Sequence, residues 1–199
     1  MTWHNDSESG SSGRAFRNII SLGEKGFLAT GDAGVWAHTE DGKVWNYASQ
    51  AITVPDRILG RLNQPAASDD FVLSHLLSSN GETRVFRLDL NSINSGWSEV
   101  AKINNTIHRI LYVAEENKFY SFGNNTLYSS TDGTSWSTEA TNINSPRRVF
   151  YSNGLFASYI VNNQGEVTLL KSENGRVWLS HEVSADEGQG LRAMTIGTL

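Results

Sequence analysis

The sequence predicts an all-β protein, a small β-propeller of four complete four-stranded blades plus a partial fifth formed from the termini. Three observations lead there. One turn motif recurs: Thr39-Glu40-Asp41-Gly42-Lys43-Val44-Trp45, Ser130-Thr131-Asp132-Gly133-Thr134-Ser135-Trp136, Ser172-Glu173-Asn174-Gly175-Arg176-Val177-Trp178, and a degenerate copy ending Asn94-Ser95-Gly96-Trp97. The four tryptophans are 52, 39 and 42 residues apart, and a period near 40 residues marks stacked supersecondary units. Finally, Arg57, Arg109 and Arg148 each follow their tryptophan by 12 residues, while Arg17 and Arg192 follow Trp3 and Trp178 by 14.

Each element follows in chain order. Thr2-Trp3-His4 reads as an outer strand, and Arg17 opens the inner strand of the first unit. Gly26–Thr30 and Gly34–His38 are short aromatic and β-branched runs split by a Gly-Asp-Ala-Gly turn, which is a hairpin signal. Trp45 then opens an outer strand. Arg57-Ile58-Leu59 is expected to be the inner strand of the second unit, which is longer than the others. Its surplus falls in Asn63–Asp70 and Leu90–Gly96, two loops expected to form a unit-specific contact surface. In the third unit Lys118–Phe122 and Thr126–Ser130 are split by Gly123-Asn124-Asn125, and in the fourth Leu155–Val161 and Glu166–Leu170 are split by Asn-Asn-Gln-Gly. Leu191–Ile196, containing Arg192, would join the N-terminal strand in the partial fifth blade. No segment holds a 3.6-residue apolar period, so a helical solenoid does not fit.

The 199 residues are read as one domain, 1–199. A net charge of −5 gives no general attraction for nucleic acid or an anionic membrane. There is no cysteine, so disulfides and thiolate metal sites are excluded. The first residues are polar and show no secretion signal, and no apolar run reaches membrane-spanning length; the expected location is a virion or the cytoplasm. His4, His38, His75, His108 and His181 are scattered without ligand spacing, so no metal and no cofactor are expected. The acids of Asp69-Asp70 and Glu115-Glu116 read as solvated turn residues. Trp36 aligns with Leu127 and Leu169 and is expected in the core.

The repeated motif resembles the Asp-box, or bacterial neuraminidase repeat, of sialidase-like propellers, in a form one residue shorter between Asp and Trp. That resemblance implies a propeller in which Asp41, Asp132 and Asn174 accept bonds from turn amides while Trp45, Trp97, Trp136 and Trp178 pack between sheets. An active sialidase would also need three arginines, a Tyr/Glu nucleophile pair and an acid Asp. The family's Phe-Arg-Ile-Pro element has only an echo, Phe16-Arg17-Asn18-Ile19, without the proline. No catalytic residue carries over, and the chain is expected not to be an enzyme.

The repeat arginines Arg17, Arg57, Arg109, Arg148 and Arg192 have two readings. They could ring the channel mouth as an anion site, or each could stack on a tryptophan or bond a turn acid of an adjacent unit and so fix the spacing between blades. The function expected is a non-enzymatic structural or binding component of an assembly, foremost a tail, fibre or capsid-associated protein of a bacteriophage virion. Its partners would be protein subunits, including further copies of itself. A lectin-like, carbohydrate-binding propeller with a glycan partner is the alternative, and a propeller glycosidase the third reading.

Overall fold

A computed structural model describes residues 16–47, 62–78, 81–144, 146, 148–162, 164 and 166–183. The strands form four antiparallel sheets, taken in chain order. The first contains β1 (Phe16–Ser21), β2 (Phe27–Gly31), β3 (Trp36–Thr39) and β4 (Asn46–Tyr47). The second contains β5 (Asn63–Ala67), β6 (Phe71–Leu77), β7 (Thr83–Asp89) and β8 (Ser98–Ile103). The third contains β9 (Ile110–Val113), β10 (Lys118–Ser130) and β11 (Ser137–Asn144). The fourth contains β12 (Val149–Ser152), β13 (Leu155–Val161), β14 (Val167–Ser172) and β15 (Leu179–Val183). The strands of every sheet lie in simple sequential order, the up-and-down meander of a propeller blade. The chain divides into two compact units, 1–104 and 105–199, with two sheets in each.

Only three strands make up the third sheet because β10 spans both middle positions. Its first residues pair with β9 (Lys118↔Val113 to Ser121↔Ile110) and its last with β11 (Thr126↔Ala140 to Ser129↔Ser137). Asn125, left-handed at φ 50°, separates the two halves at the expected Gly-Asn-Asn turn. The expected inner and outer edges are also found. The strand that follows the tryptophan (β4, β8, β11 or β15) is one edge of each sheet, and the opposite edge is the first strand.

Two expectations about the first strands are corrected. In the second unit the first strand is Asn63–Ala67, which had been read as a loop; Arg57 lies outside the described residues. Pro65 sits in this edge strand at a register irregularity between Asn63 and Ala66, where a missing N–H is tolerated. In the first unit Arg17 does not occupy the place of Arg109. On the core-facing side Ile20 pairs with Leu28 as Leu111 pairs with Tyr120, so two residues before each come Asn18 and Arg109. Between these paired residues lie 21–27 here and 112–119 in the third sheet, so the connection here is one residue shorter, and this slips the count.

Each unit has its own core. In the second, Leu111, Tyr120, Phe122 and Leu127 of the third sheet pack on Val149, Phe156, Leu170 and Trp178 of the fourth. In the first, Leu22, Leu28 and Trp36 pack on Val72 and Leu88, and half-buried Trp97 joins them. Trp36 is a core residue, as its alignment with Leu127 required. The strands Thr2–His4 and Leu191–Ile196 of the expected fifth blade lie outside the described residues.

Candidate functional site

The three complete motifs fold into the same turn. The Asp41 Oδ1 accepts from the Lys43 and Val44 amides at 2.8 and 3.0 Å, and the Thr39 hydroxyl accepts from Gly42 N at 3.0 Å. Asp132 repeats this with Thr134 N (2.8 Å) and Ser135 N (2.9 Å), and Ser130 Oγ accepts from Gly133 N at 2.8 Å. Asn174 does so with Arg176 N (2.9 Å) and Val177 N (3.0 Å), and Ser172 Oγ with Gly175 N (2.9 Å). The glycines sit at φ 72°, 77° and 70°, which explains their recurrence. Amide donors stabilise a carboxylate over its acid. The amides of Val44 and Lys43 accordingly hold Asp41 below the usual carboxylate range, and those of Ser135 and Thr134 hold Asp132 well below it.

The degenerate copy is built differently. Residues Ile93–Ser95 make a turn of 3-10 helix ending at left-handed Gly96, and the acid that caps is Asp89, accepting from Asn91 N at 2.9 Å. The expected contact loop at Leu90–Gly96 spends Leu90 and Ile93 on the core of the first unit.

Tryptophan packing varies between copies. Trp178 is buried; its ring meets Phe122 edge-on at 5.6 Å, and its Nε1 donates to the Gly175 carbonyl at 2.9 Å. Trp136 makes the same bond to Gly133 at 3.0 Å but is half-buried, as are Trp45 and Trp97. The Trp97 Nε1 is buried with no acceptor among the described residues.

Sequence reasoning missed a clasp between the third and fourth sheets. The Asn142 Oδ1 accepts from Trp178 N at 2.8 Å and its Nδ2 donates to Trp178 O at 3.2 Å. Next to it the Thr141 hydroxyl donates to Gly175 O at 3.0 Å. Thr141-Asn142 carries no recurring spacing, so no signal pointed to it. Buried serines were missed too. Ser121 and Ser158 each donate to the carbonyl of an arginine, Arg109 and Arg148, at 2.7 Å, and Ser74 donates to Asn63 at 2.5 Å. Their signal was a Phe two or three residues earlier: Phe71, Phe119 and Phe156.

Of the five arginines, three are described. Arg17 closes on Asp32, with Nε at 3.0 Å and Nη2 at 2.7 Å, and this raises its pKa. Arg109 lies 5.1 Å above the centre of the Phe150 ring. Burial and then the neighbouring Arg148 charge lower its pKa. Arg148 is exposed. Arg57 and Arg192 lie outside the described residues. Neither contact is the expected tryptophan stack or turn acid of an adjacent unit: Phe150 is a phenylalanine, and Asp32 lies in the same sheet as Arg17.

Among the described residues Tyr120 and Glu116 form a Tyr/Glu pair. The Tyr120 hydroxyl donates to Glu116 Oε2 at 2.5 Å. Burial, then the bond and charge of Glu116, push its pKa far upward, and Tyr151 is also raised, by burial and by Glu115 and Glu116. A nucleophilic phenol needs the opposite shift. Among the described residues no three His, Asp or Glu side chains are placed to hold a metal, and no helix is long and apolar enough to cross a membrane.

These sheets resemble those of solved propellers. The structure titled YCF48 bound to D1 peptide is 16% identical, with a TM-score of 0.60 over 84% of this chain and 54% of that one. YCF48 from Cyanidioschyzon merolae is 15% identical, with a TM-score of 0.63 over 85% of this chain and 57% of that one. U3-55K is 10% identical, with a TM-score of 0.51 over 81% and 50%. The chain thus spans little more than half the length of the propellers it resembles. No curated protein matches it in sequence. The model of the DUF6242 beta propeller domain matches residues 70–189, more than half of the sequence, and the chain belongs to that β-propeller family.

Proposed function

We propose that this propeller is a non-enzymatic binding component of a larger protein assembly. The observation that carries the reading is the use made of the Asp and Asn side chains of the motif. Asp41, Asp132 and Asn174 each give one side-chain oxygen to two turn amides. Glycoside hydrolysis needs two carboxyl groups facing one bond, one of them free to take up and release a proton. Carboxylates held ionised inside turns do the work of fasteners. A propeller of similar fold is described as bound to a peptide, which supports protein segments as the partner class. The narrower placement in a bacteriophage tail, fibre or capsid rests on the short Asp-boxes, and purified particles containing the protein would test it.

Crosslinking of the full-length protein in its native extract, followed by mass spectrometry, tests the broader reading. The expected result is reproducible crosslinks from the propeller to one defined protein in fixed stoichiometry. Sialoside or other glycoside turnover by the purified protein overturns the non-enzymatic reading. Saturable glycan-array binding with no protein crosslink replaces the protein partner with a sugar.

A further inference from the structure

In the second compact unit, 105–199, two arginines stand at one register position of neighbouring sheets. Arg109 comes directly before Ile110, which pairs with Ser121, and Arg148 directly before Val149, which pairs with Ser158. Each serine donates its hydroxyl to the arginine carbonyl, Ser121 to Arg109 and Ser158 to Arg148, both at 2.7 Å. That bond fixes the backbone where the first strands β9 and β12 begin, so both side chains leave from the same place on two blades that pack together. In the first unit this position holds uncharged amides. Asn18 stands there in the first sheet, and Asn63, whose carbonyl accepts from Ser74, in the second.

The half-buried Arg109 side chain reaches across to the fourth sheet, its guanidinium carbon 5.1 Å above the centre of the Phe150 ring. Phe150 follows Arg148 by two residues, the spacing that puts side chains of an extended chain on one side. The contact with the ring face uses none of the guanidinium N–H groups as hydrogen-bond donors. Among the described residues no carboxylate, carbonyl or hydroxyl accepts from the Arg109 guanidinium, and its nitrogens are not closed off from solvent. Burial lowers its pKa first, and the Arg148 charge lowers it further. A carboxylate in reach would act in the opposite direction. A half-buried cation beside a second cation costs free energy until an anion joins it. Arg17 shows the contrast, since its charge is taken up by Asp32 at 2.7 Å.

We propose that Arg109 and Arg148 form a carboxylate-binding site, and that its ligand is an acidic segment of a protein partner. The planar fork of a guanidinium matches a carboxylate with two parallel bonds, and a second arginine alongside supplies further donors and charge. Half-buried Phe150 offers apolar surface to the methylene stem of a Glu side chain. The net charge of −5 repels a polyanion such as a nucleic acid over the surface as a whole, while a site of two arginines still holds a single carboxylate. This site rests on the reading of the protein as a binding component of a protein assembly, and it names the chemistry of the segment that is held.

The probe is a fluorescently labelled hexaglutamate peptide, titrated with the full-length protein and followed by fluorescence anisotropy. Saturable binding is expected, and labelled hexaglutamine should not bind. Arg109→Gln and Arg148→Gln should each weaken binding by about tenfold or more, since each removes charge-assisted bonds. Arg109→Lys keeps the charge without the fork and should recover only part of that loss. Arg176→Gln removes the same charge from an exposed ion pair with Glu139 in the same unit and should leave binding unchanged. Circular dichroism verifies folding, and if Arg109→Gln does not fold, the exposed Arg148 decides through its own variant. No binding of hexaglutamate, undiminished binding by the Arg109 and Arg148 variants, an equal loss in Arg176→Gln, or binding of inorganic phosphate in place of the peptide would each overturn the proposal. Crosslinks to a defined protein that persist with both arginines replaced would remove this site and leave the assembly reading standing. Arginine-dependent hexaglutamate binding by a chain that crosslinks to no protein would keep this site and overturn that reading.

Discussion

The side chain of Asn142 pairs with both backbone groups of Trp178, accepting from its N at 2.8 Å and donating to its O at 3.2 Å. An amide side chain on the outer strand of the third sheet thereby extends the hydrogen bonding of the fourth. Asn142→Ala should cost about 1–2 kcal/mol, the sum of two ordinary bonds at a half-exposed place. Asn142→Asp keeps the acceptor for Trp178 N but sets a carboxylate against a carbonyl, so it should rescue none of the loss at neutral pH. Urea denaturation of both variants checks this, and an Asp variant as stable as the native protein would show that the second bond contributes nothing.

The tryptophans should not be equivalent. Trp178 is 6% exposed and touches Phe122 and Phe156, so Trp178→Ala should cost roughly 3–5 kcal/mol. Trp136 makes the same indole bond in a half-buried place, and Trp136→Ala should cost clearly less, about 1–2 kcal/mol. The motif alone would have assigned both the larger value. Thermal unfolding of the two variants side by side decides between burial and motif membership as the cause.

The difference shows what the sequence could carry. The turn of each Asp-box is local: Thr39, Asp41 and Gly42 satisfy one another within four residues, and such chemistry is written in adjacent letters. The sheet order was legible for the same reason, since every connection is a hairpin or a meander step. Register was not. A connection one residue shorter between Ile20 and Leu28 than between Leu111 and Tyr120 moved Arg17 out of line with Arg109, and spacing counted from tryptophans could not detect it. The surplus length at Asn63–Asp70 misled too, because part of it forms the first edge strand, Asn63–Ala67, of the second sheet. The Thr141-Asn142 clasp depends on which blade lies alongside, which no local pattern records.

Glycine at 175 is held by two constraints that a neighbouring position separates. Its φ is 70°, and an added Cβ would lie 3.3 Å from Leu127 Cδ2 and 3.4 Å from Phe122 Cζ. Gly154 has φ 77° with nothing within 4 Å. Gly154→Ala should therefore cost only left-handed strain, about 1–2 kcal/mol. Gly175→Ala should add the cost of crowding a packed core, bringing it to roughly 2–4 kcal/mol. Equal losses in denaturant melts would mean that the Leu127 and Phe122 side chains yield freely at the blade contact.

The final prediction uses the amide that the fourth blade carries where the third carries an acid. Asp132 and Asn174 accept the same pair of turn amides, but only Asp132 titrates. Its folded pKa lies well below the usual aspartate range, chiefly through the Ser135 amide. A depressed folded value means the unfolded chain binds the proton first. The contribution of Asp132 to stability is therefore complete above the unfolded pKa, near pH 4, and is lost as pH falls from there toward the folded value. Asp132→Asn should keep the turn, since Asn174 builds it at matching distances, and should remove that dependence. Stability at pH 7 should change by less than about 1 kcal/mol, because the site is open to solvent and loses only charge assistance. The informative measurement is the slope of stability against pH between roughly pH 4 and pH 2, which should be shallower in the variant. An unchanged slope, with the variant folded at pH 7, would mean that other carboxylates carry the acid sensitivity and that the Asp132 bonds are no stronger to its ionised form than to its acid.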